Sequence, residues 1–131
     1  MSTPNQTLGE WTADLNDILY MQPNNEVARK AFYELVDPSL FMKINHTVCS
    51  YSQFVSIFEQ ARETTTMFKD TWDVLHEWQD PEKKDGVVAI STKWRIKDNA
   101  TGVETKKHNL AIWEVKIIDG KRKLTAMTEV D

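Results

Sequence analysis

The chain has 131 residues, with 16 Lys and Arg against 20 Asp and Glu, a net charge of −4 and a pI near 5.4. That length supports one core of ordinary size, and 40% hydrophobic with 27% charged residues is the composition of a soluble globular protein. The acidic balance offers no basic field for phosphates, which excludes nucleic acid as the main partner, and no apolar run approaches the roughly 20 residues of a membrane span.

Taken from the start, Met1 to Gly9 is polar and lacks the charged-then-apolar layout of a secretory leader. Cys49 is the one cysteine and cannot close an intrachain disulfide, so a cytoplasmic protein is expected. The glycosylation sequons at Asn5, Asn45 and Asn99 then read as coincidences of composition. Leu8, Trp11, Leu15, Ile18 and Leu19 recur at helical spacing, and Thr7 with Glu10 forms a capping box at the head of that helix. Pro23, Asn24 and Asn25 break the chain. Val27, Ala28, Ala31, Phe32, Leu35 and Val36 form the stripe of a second helix, which Pro38 stops. Leu40 to Asn45 reads as a short strand. Ser50 with Gln53 opens a third helix, striped by Phe54, Ile57, Phe58 and Ala61 and ended by Thr64, Thr65 and Thr66.

The rest reads as β. Phe68 to Gln79 alternates, with Trp72, Val74, His76 and Trp78 on one face. Residues 80–86 turn, and Val87 to Lys97 returns with Val88, Ile90, Thr92, Trp94 and Ile96 on its apolar face. After the turn at 98–102, Val103 to Ile118 includes Leu110, Ala111, Ile112 and Trp113, apolar on both faces. Asp119-Gly120 is a tight hairpin signal, and Lys123 to Val130 closes the sheet. Helices followed by a meander of long strands predict an α+β layout. The helices cover one sheet face only. The second apolar face at 110–113 therefore predicts a homodimer formed through the sheet, or else cover by the chain's own ends.

The order of elements, the run from Phe32-Tyr33 through Val36-Asp37-Pro38-Ser39-Leu40, the run Ile117-Ile118-Asp119-Gly120-Lys121 and the closing Thr128-Glu129-Val130-Asp131 resemble the NTF2-like superfamily in its SnoaL-like branch. Asn45-His46-Thr47 followed by Tyr51-Ser52-Gln53-Phe54 is similar to small uncharacterised SnoaL-like proteins of filamentous fungi. The resemblance covers roughly residues 8–131. It implies a single domain over 1–131, a cone in which three N-terminal helices pack in a curved antiparallel sheet around a mostly apolar pocket. The superfamily includes isomerases, dehydratases, cyclases, epoxide hydrolases and non-enzymatic binding modules, so fold does not settle activity.

Chemistry in such a pocket needs an acid or base whose pKa the apolar wall moves towards the working pH. His46 follows the first strand, near where the resemblance to ketosteroid isomerases implies a carboxylate base. Here Asn45-His46 stands instead, and a histidine also transfers protons near neutral pH. The plainer reading is a strand-end histidine satisfied by backbone or solvent. Glu129, near a catalytic carboxylate that the resemblance to limonene epoxide hydrolases implies, reaches the pocket if Thr125, Met127 and Glu129 face inwards. Otherwise it is an exposed edge residue paired with Lys or Arg. That hydrolase pattern also requires an Arg and an Asp two residues apart, and Thr92-Lys93-Trp94-Arg95 has no Asp, which argues against epoxide hydrolysis. His76 with Trp72 and Trp78 forms an aromatic wall for a planar ligand if its face is inward, or a dimer face if outward. Asn45, Tyr51 and Trp94 complete the expected ligand contacts, Tyr51 as the pocket hydroxyl. A one-residue bulge would reverse any of these facings.

Other signals are negative. His46, His76 and His108 lack zinc-site spacing, Cys49 near His46 reads as a small buried hydrophobe, and His108 lies on a solvated strand. The tyrosine-histidine pattern of scytalone dehydratase is not reproduced. No glycine-rich phosphate loop occurs, and the lysine runs flank turns. The expected function is binding of a small apolar organic molecule, with cofactor-free isomerisation, dehydration or cyclisation by His46 or Glu129. The competing reading is a non-catalytic ligand-binding or dimerisation module. Convergence of His46 and Glu129 in one pocket would separate the two.

Overall fold

The structure is a computed structural model that describes residues 6–131; residues 1–5, with the Asn5 sequon, lie outside the described residues. Helix α1 (Leu8–Asn16) begins at the expected capping box: Thr7 Oγ1 accepts from the Glu10 amide, and the Glu10 carboxylate accepts from the Thr7 amide. It then widens into a π-helical turn (Asp17–Met21), closed by the Gln22 amide donating to the Asp17 carbonyl at 2.9 Å. Asn24 caps helix α2 (Asn25–Leu35), its Oδ1 accepting from the Glu26 and Val27 amides. The chain passes directly from α2 into strand β1 (Val36–Ile44), four residues before the strand start expected at Leu40. Val36 is fully buried and pairs with Leu124, so tertiary pairing extends the strand past Pro38. After β2 (Thr47–Cys49), helix α3 (Tyr51–Thr64) starts at the Ser50–Gln53 capping box. Four long strands complete the chain: β3 (Thr65–Gln79), β4 (Gly86–Asp98), β5 (Glu104–Ile118) and β6 (Lys121–Val130).

The six strands form one sheet in the order β2-β1-β6-β5-β4-β3. Every neighbouring pair is antiparallel except β1 and β6, which run parallel. The parallel pair is possible because α3 and four strands intervene and bring the chain back. The helices fill the concave face. Trp11, Leu15 and Leu19 of the first helical segment, Phe32 of α2, and Phe54 and Phe58 of α3 are buried there against Val88, Ile90, Trp113, Val115 and Leu124 of the sheet. Phe32 stacks on Phe58 with ring centroids 4.6 Å apart. The architecture is the expected α+β one, three helices in a curved open sheet.

The expected face of β3 is corrected. Val74 pairs with Ile90, but His76 pairs with Ala89, so Leu75 is a bulge that reverses the alternation. Trp72 keeps its place inside, edge-on to Trp94 at 6.3 Å and to Trp113 at 5.5 Å. His76 and Trp78 turn to the outer face, where Trp78 is 55% exposed. Glu77 turns inward instead, and its carboxylate accepts from the Gly9 amide at 2.6 Å.

Candidate functional site

Between the helices and the concave sheet lies a cavity of about 210 Å³. Met42 and Ile44 of β1, Phe54 of α3 and Met127 of β6 supply much of its apolar wall. An apolar cavity of about 150 Å³ takes a benzene ring, so this one takes a ring with short substituents or two small fused rings. Trp94 and Trp113 form its aromatic side. The Trp94 indole is oriented by donating its Nε1 hydrogen to Thr92 Oγ1 at 2.7 Å.

Glu129 brings a carboxyl group into this space. In β6 it shares the inner face with Met127, and it pairs with Ala111 of β5 and Ile44 of β1, both also on the inner face. Burial pushes its pKa up to about 7, and hydrogen bonding to Asp131 and repulsion from that carboxylate push the same way; a hydrogen bond with Asn109 opposes them. Asn109 also donates to Asp131 Oδ1 at 2.6 Å. Tyr20, carried in by the π-helical turn, lines the opposite wall. Burial first, and the Glu129 charge second, hold its phenol well above the ordinary tyrosine value, so Tyr20 is a neutral hydroxyl.

The turn is held from below. Arg62 of α3 donates from Nη1 to the Leu19 carbonyl at 2.8 Å, from Nη2 to the Gln22 carbonyl, and from Nε to Asn25 Oδ1 at 3.0 Å. Lys69 of β3 meets Asp17 at 2.6 Å. These contacts satisfy carbonyl groups that the helix end leaves without partners, and they fix where Tyr20 points.

The expected site residues separate into three groups. Trp94 and Glu129 line the cavity. Asn45 and Trp72 stand next to it: Trp72 backs the other two tryptophans, and Asn45, at φ +54°, donates its amide to the Glu129 carbonyl at 2.8 Å and accepts from the Asp131 amide at 3.0 Å. Asn45 thus pins the end of β6. His46, Tyr51, His76 and Trp78 are not among the lining residues. His46 is exposed in the β1–β2 turn, because the left-handed step at Asn45 carries the chain away from the cavity, so His46 and Glu129 do not converge on it. Tyr51 packs on Phe32 at 5.9 Å, and Tyr20 supplies the cavity hydroxyl instead. Thr125 does not share the inward face of Glu129. It falls at a register shift opposite Glu114 and donates to the Glu114 carbonyl.

Sequence reasoning did not single out Asn16, Tyr20, Asn109 and Trp113 as site residues. Asn16 and Tyr20 lie four apart, a spacing that signals a shared helical face but not which face meets a cavity. Among the described residues no group of three or more His, Cys, Asp or Glu is placed to hold a metal ion, and no helix is long and apolar enough to cross a membrane.

No family model and no curated protein matches the sequence. Solved structures do match in fold. A ketosteroid isomerase-like protein from Erwinia carotovora atroseptica aligns with a TM-score of 0.63 at 14% identity, over 89% of this chain and 91% of that one. An NTF2-like protein of unknown function in nutrient uptake from Rhodospirillum rubrum aligns with a TM-score of 0.68 at 11% identity, over 95% and 98% of the two chains. The association domain of C. elegans CaMKII aligns with a TM-score of 0.61 at 10% identity, over 91% and 88%. With a curved open sheet wrapped round three helices and near-complete coverage of such neighbours, the chain has the fold of the NTF2-like superfamily.

Proposed function

We propose that this is a SnoaL-like protein that binds a small, largely apolar organic molecule in the cone and transfers a proton on it through Glu129, without a cofactor. One observation carries the reading: a carboxyl group in an apolar cavity with its pKa raised to about 7. Such a group is divided between acid and base near neutral pH, the condition under which one residue can both take and return a proton. As a base, Glu129 takes a proton from a ligand carbon. As the resulting acid it returns that proton to another carbon in an isomerisation, or to a departing hydroxyl in a dehydration that releases water. Trp94 and Trp113 provide flat apolar surfaces for a ring. His46 has no part in this scheme.

We further propose that the working unit is a homodimer joined through the outer sheet face. Phe41 of β1, Leu110 and Ile112 of β5 and Val130 of β6 are each about half exposed or more, next to one another in strand order. A second copy would cover them. The same patch favours a second reading, a non-catalytic ligand-binding or dimerisation module; one fold neighbour is an association domain.

Native mass spectrometry of the purified protein, followed by denaturation, tests the proposal. The expected result is a dimer mass carrying an organic molecule that is released on unfolding and is turned over by the wild type but not by Glu129→Gln. A ligand-bound dimer whose molecule both proteins leave unchanged would favour the module. A ligand-free monomer would overturn both parts.

A further inference from the structure

A protein interior seldom leaves a polar group without a partner, and each exception calls for an explanation. Three exceptions line the same cavity: the acceptor Asn109 Oδ1 and two donors, on Asn16 and Trp113. Asn16 is 3% exposed, and its Nδ2 has no hydrogen-bond partner. Trp113 is 4% exposed, and its Nε1 has none either. The contrast with Trp94 is informative, because that indole lines the same cavity and is satisfied by Thr92. An indole N–H is a donor only, so its missing partner is an acceptor. The charged groups of the cavity do not fill the gap: the Asp131 carboxylate accepts from Asn109 Nδ2, Glu129 is engaged with Asp131 and Asn109, and Lys107 is itself only a donor.

Leaving a buried donor unmade costs more than a made bond returns, so a free N–H in an apolar wall selects for a molecule that completes it. From these two donors we infer that the ligand is an apolar ring compound carrying neutral oxygen acceptors, carbonyl above all, which accept from Asn16 Nδ2 and Trp113 Nε1. A pure hydrocarbon would leave both donors unmet, and a carboxylate would repel Glu129 and Asp131. The inference rests on the cavity-binding reading above and adds the ligand's functional group. It is independent of whether Glu129 catalyses anything.

The test uses two probes of matched shape, 1-tetralone and tetralin, which differ by a carbonyl in place of a methylene. Each is titrated into the ¹⁵N-labelled full chain and followed by the indole N–H resonances, with Trp113 assigned by Trp113→Phe. Tetralone is expected to bind roughly tenfold more tightly than tetralin, the value of one buried hydrogen bond, and to move the Trp113 indole proton downfield. In Asn16→Leu and in Trp113→Phe the preference is expected to shrink, with the rest of each spectrum reporting that the fold is kept; the two variants serve as controls for each other. The preference is also expected to persist at pH 9, where Glu129 is ionised and donates nothing. Equal binding of the two probes would overturn the inference and leave the cavity reading standing. A preference that disappears at pH 9 would overturn the assignment to Asn16 and Trp113. Failure of both probes to bind would overturn the cavity reading and the inference together.

Discussion

At the residue scale the decisive group is Glu129. Its folded pKa, about 7, lies above the ordinary glutamate value, so folding favours its protonated form. The stability this contributes is fully present below the unfolded pKa of about 4.3 and is lost as pH rises through about 7. Glu129→Gln removes the titration. The variant is expected to differ little from the wild type at pH 4 and to be the more stable at pH 8, by at most about 3–4 kcal/mol at roughly 1.4 kcal/mol per pKa unit. Urea unfolding at the two pH values measures this, and a difference independent of pH would show that Glu129 is not titrating against burial. His46 supplies the control. It is exposed in a turn, so His46→Ala is expected to leave tetralone binding unchanged and stability within about 0.5 kcal/mol. Glu129 was legible as a candidate through the resemblance to limonene epoxide hydrolases, on the condition that it faces inward with Met127 in the closing strand. His46 was equally plausible on paper, and a positive φ at its neighbour removed it from the cavity.

At the element scale, local chemistry in the sequence marks where the helices begin, and nonlocal contacts set the irregular segments between and beyond those starts. Thr7 with Glu10 and Ser50 with Gln53 are capping boxes in the chain and in the structure alike. A cap needs only residues within one turn, so it can be read without the fold. The π-helical turn at Asp17–Met21 is different. Its carbonyls are held by Arg62, more than 40 residues on in the chain for Leu19, and its first residue by Lys69. Arg62→Met is expected to lower stability by about 2 kcal/mol, the value of hydrogen bonds to a charged group, and to weaken tetralone binding as Tyr20 loses its fixed position. Denaturant unfolding with the same titration checks both. Unchanged binding would show that the turn holds its geometry alone. The β3 bulge at Leu75 belongs to the same class: alternation assigned one face to Trp72, Val74, His76 and Trp78, and one unpaired residue sent His76 and Trp78 outward.

At the scale of the whole molecule, the proposed homodimer depends on the outer sheet face. Leu110 and Ile112 alternate along β5 with buried Ala111, Trp113 and Val115, so the strand is apolar on both sides, as its sequence indicates. Ile112→Lys places a charge in the middle of the outer face without touching the concave one. Sedimentation equilibrium is expected to find a dimer for the wild type and a monomer for the variant. A variant that stays dimeric would move the interface to another surface, with the helix-side Tyr33 and Val27 the next exposed apolar residues to test.

The sequence by itself determined the fold class, the helix starts, the turns and the two-faced apolar strand. Each of these depends on propensity, capping or periodicity within a few residues, and those effects act before the chain has a shape. Tertiary structure alone decided the cavity. Asn16 and Tyr20 come from the first helical segment, Trp94, Asn109 and Trp113 from mid-chain strands, and Glu129 from the last strand. They meet because the sheet curves, because β6 returns beside β1, and because the register shift at Thr125 in β6 and the π-helical turn each shift the chain by one residue. A one-residue shift is invisible to periodicity, yet it turns a side chain to the opposite face of a strand.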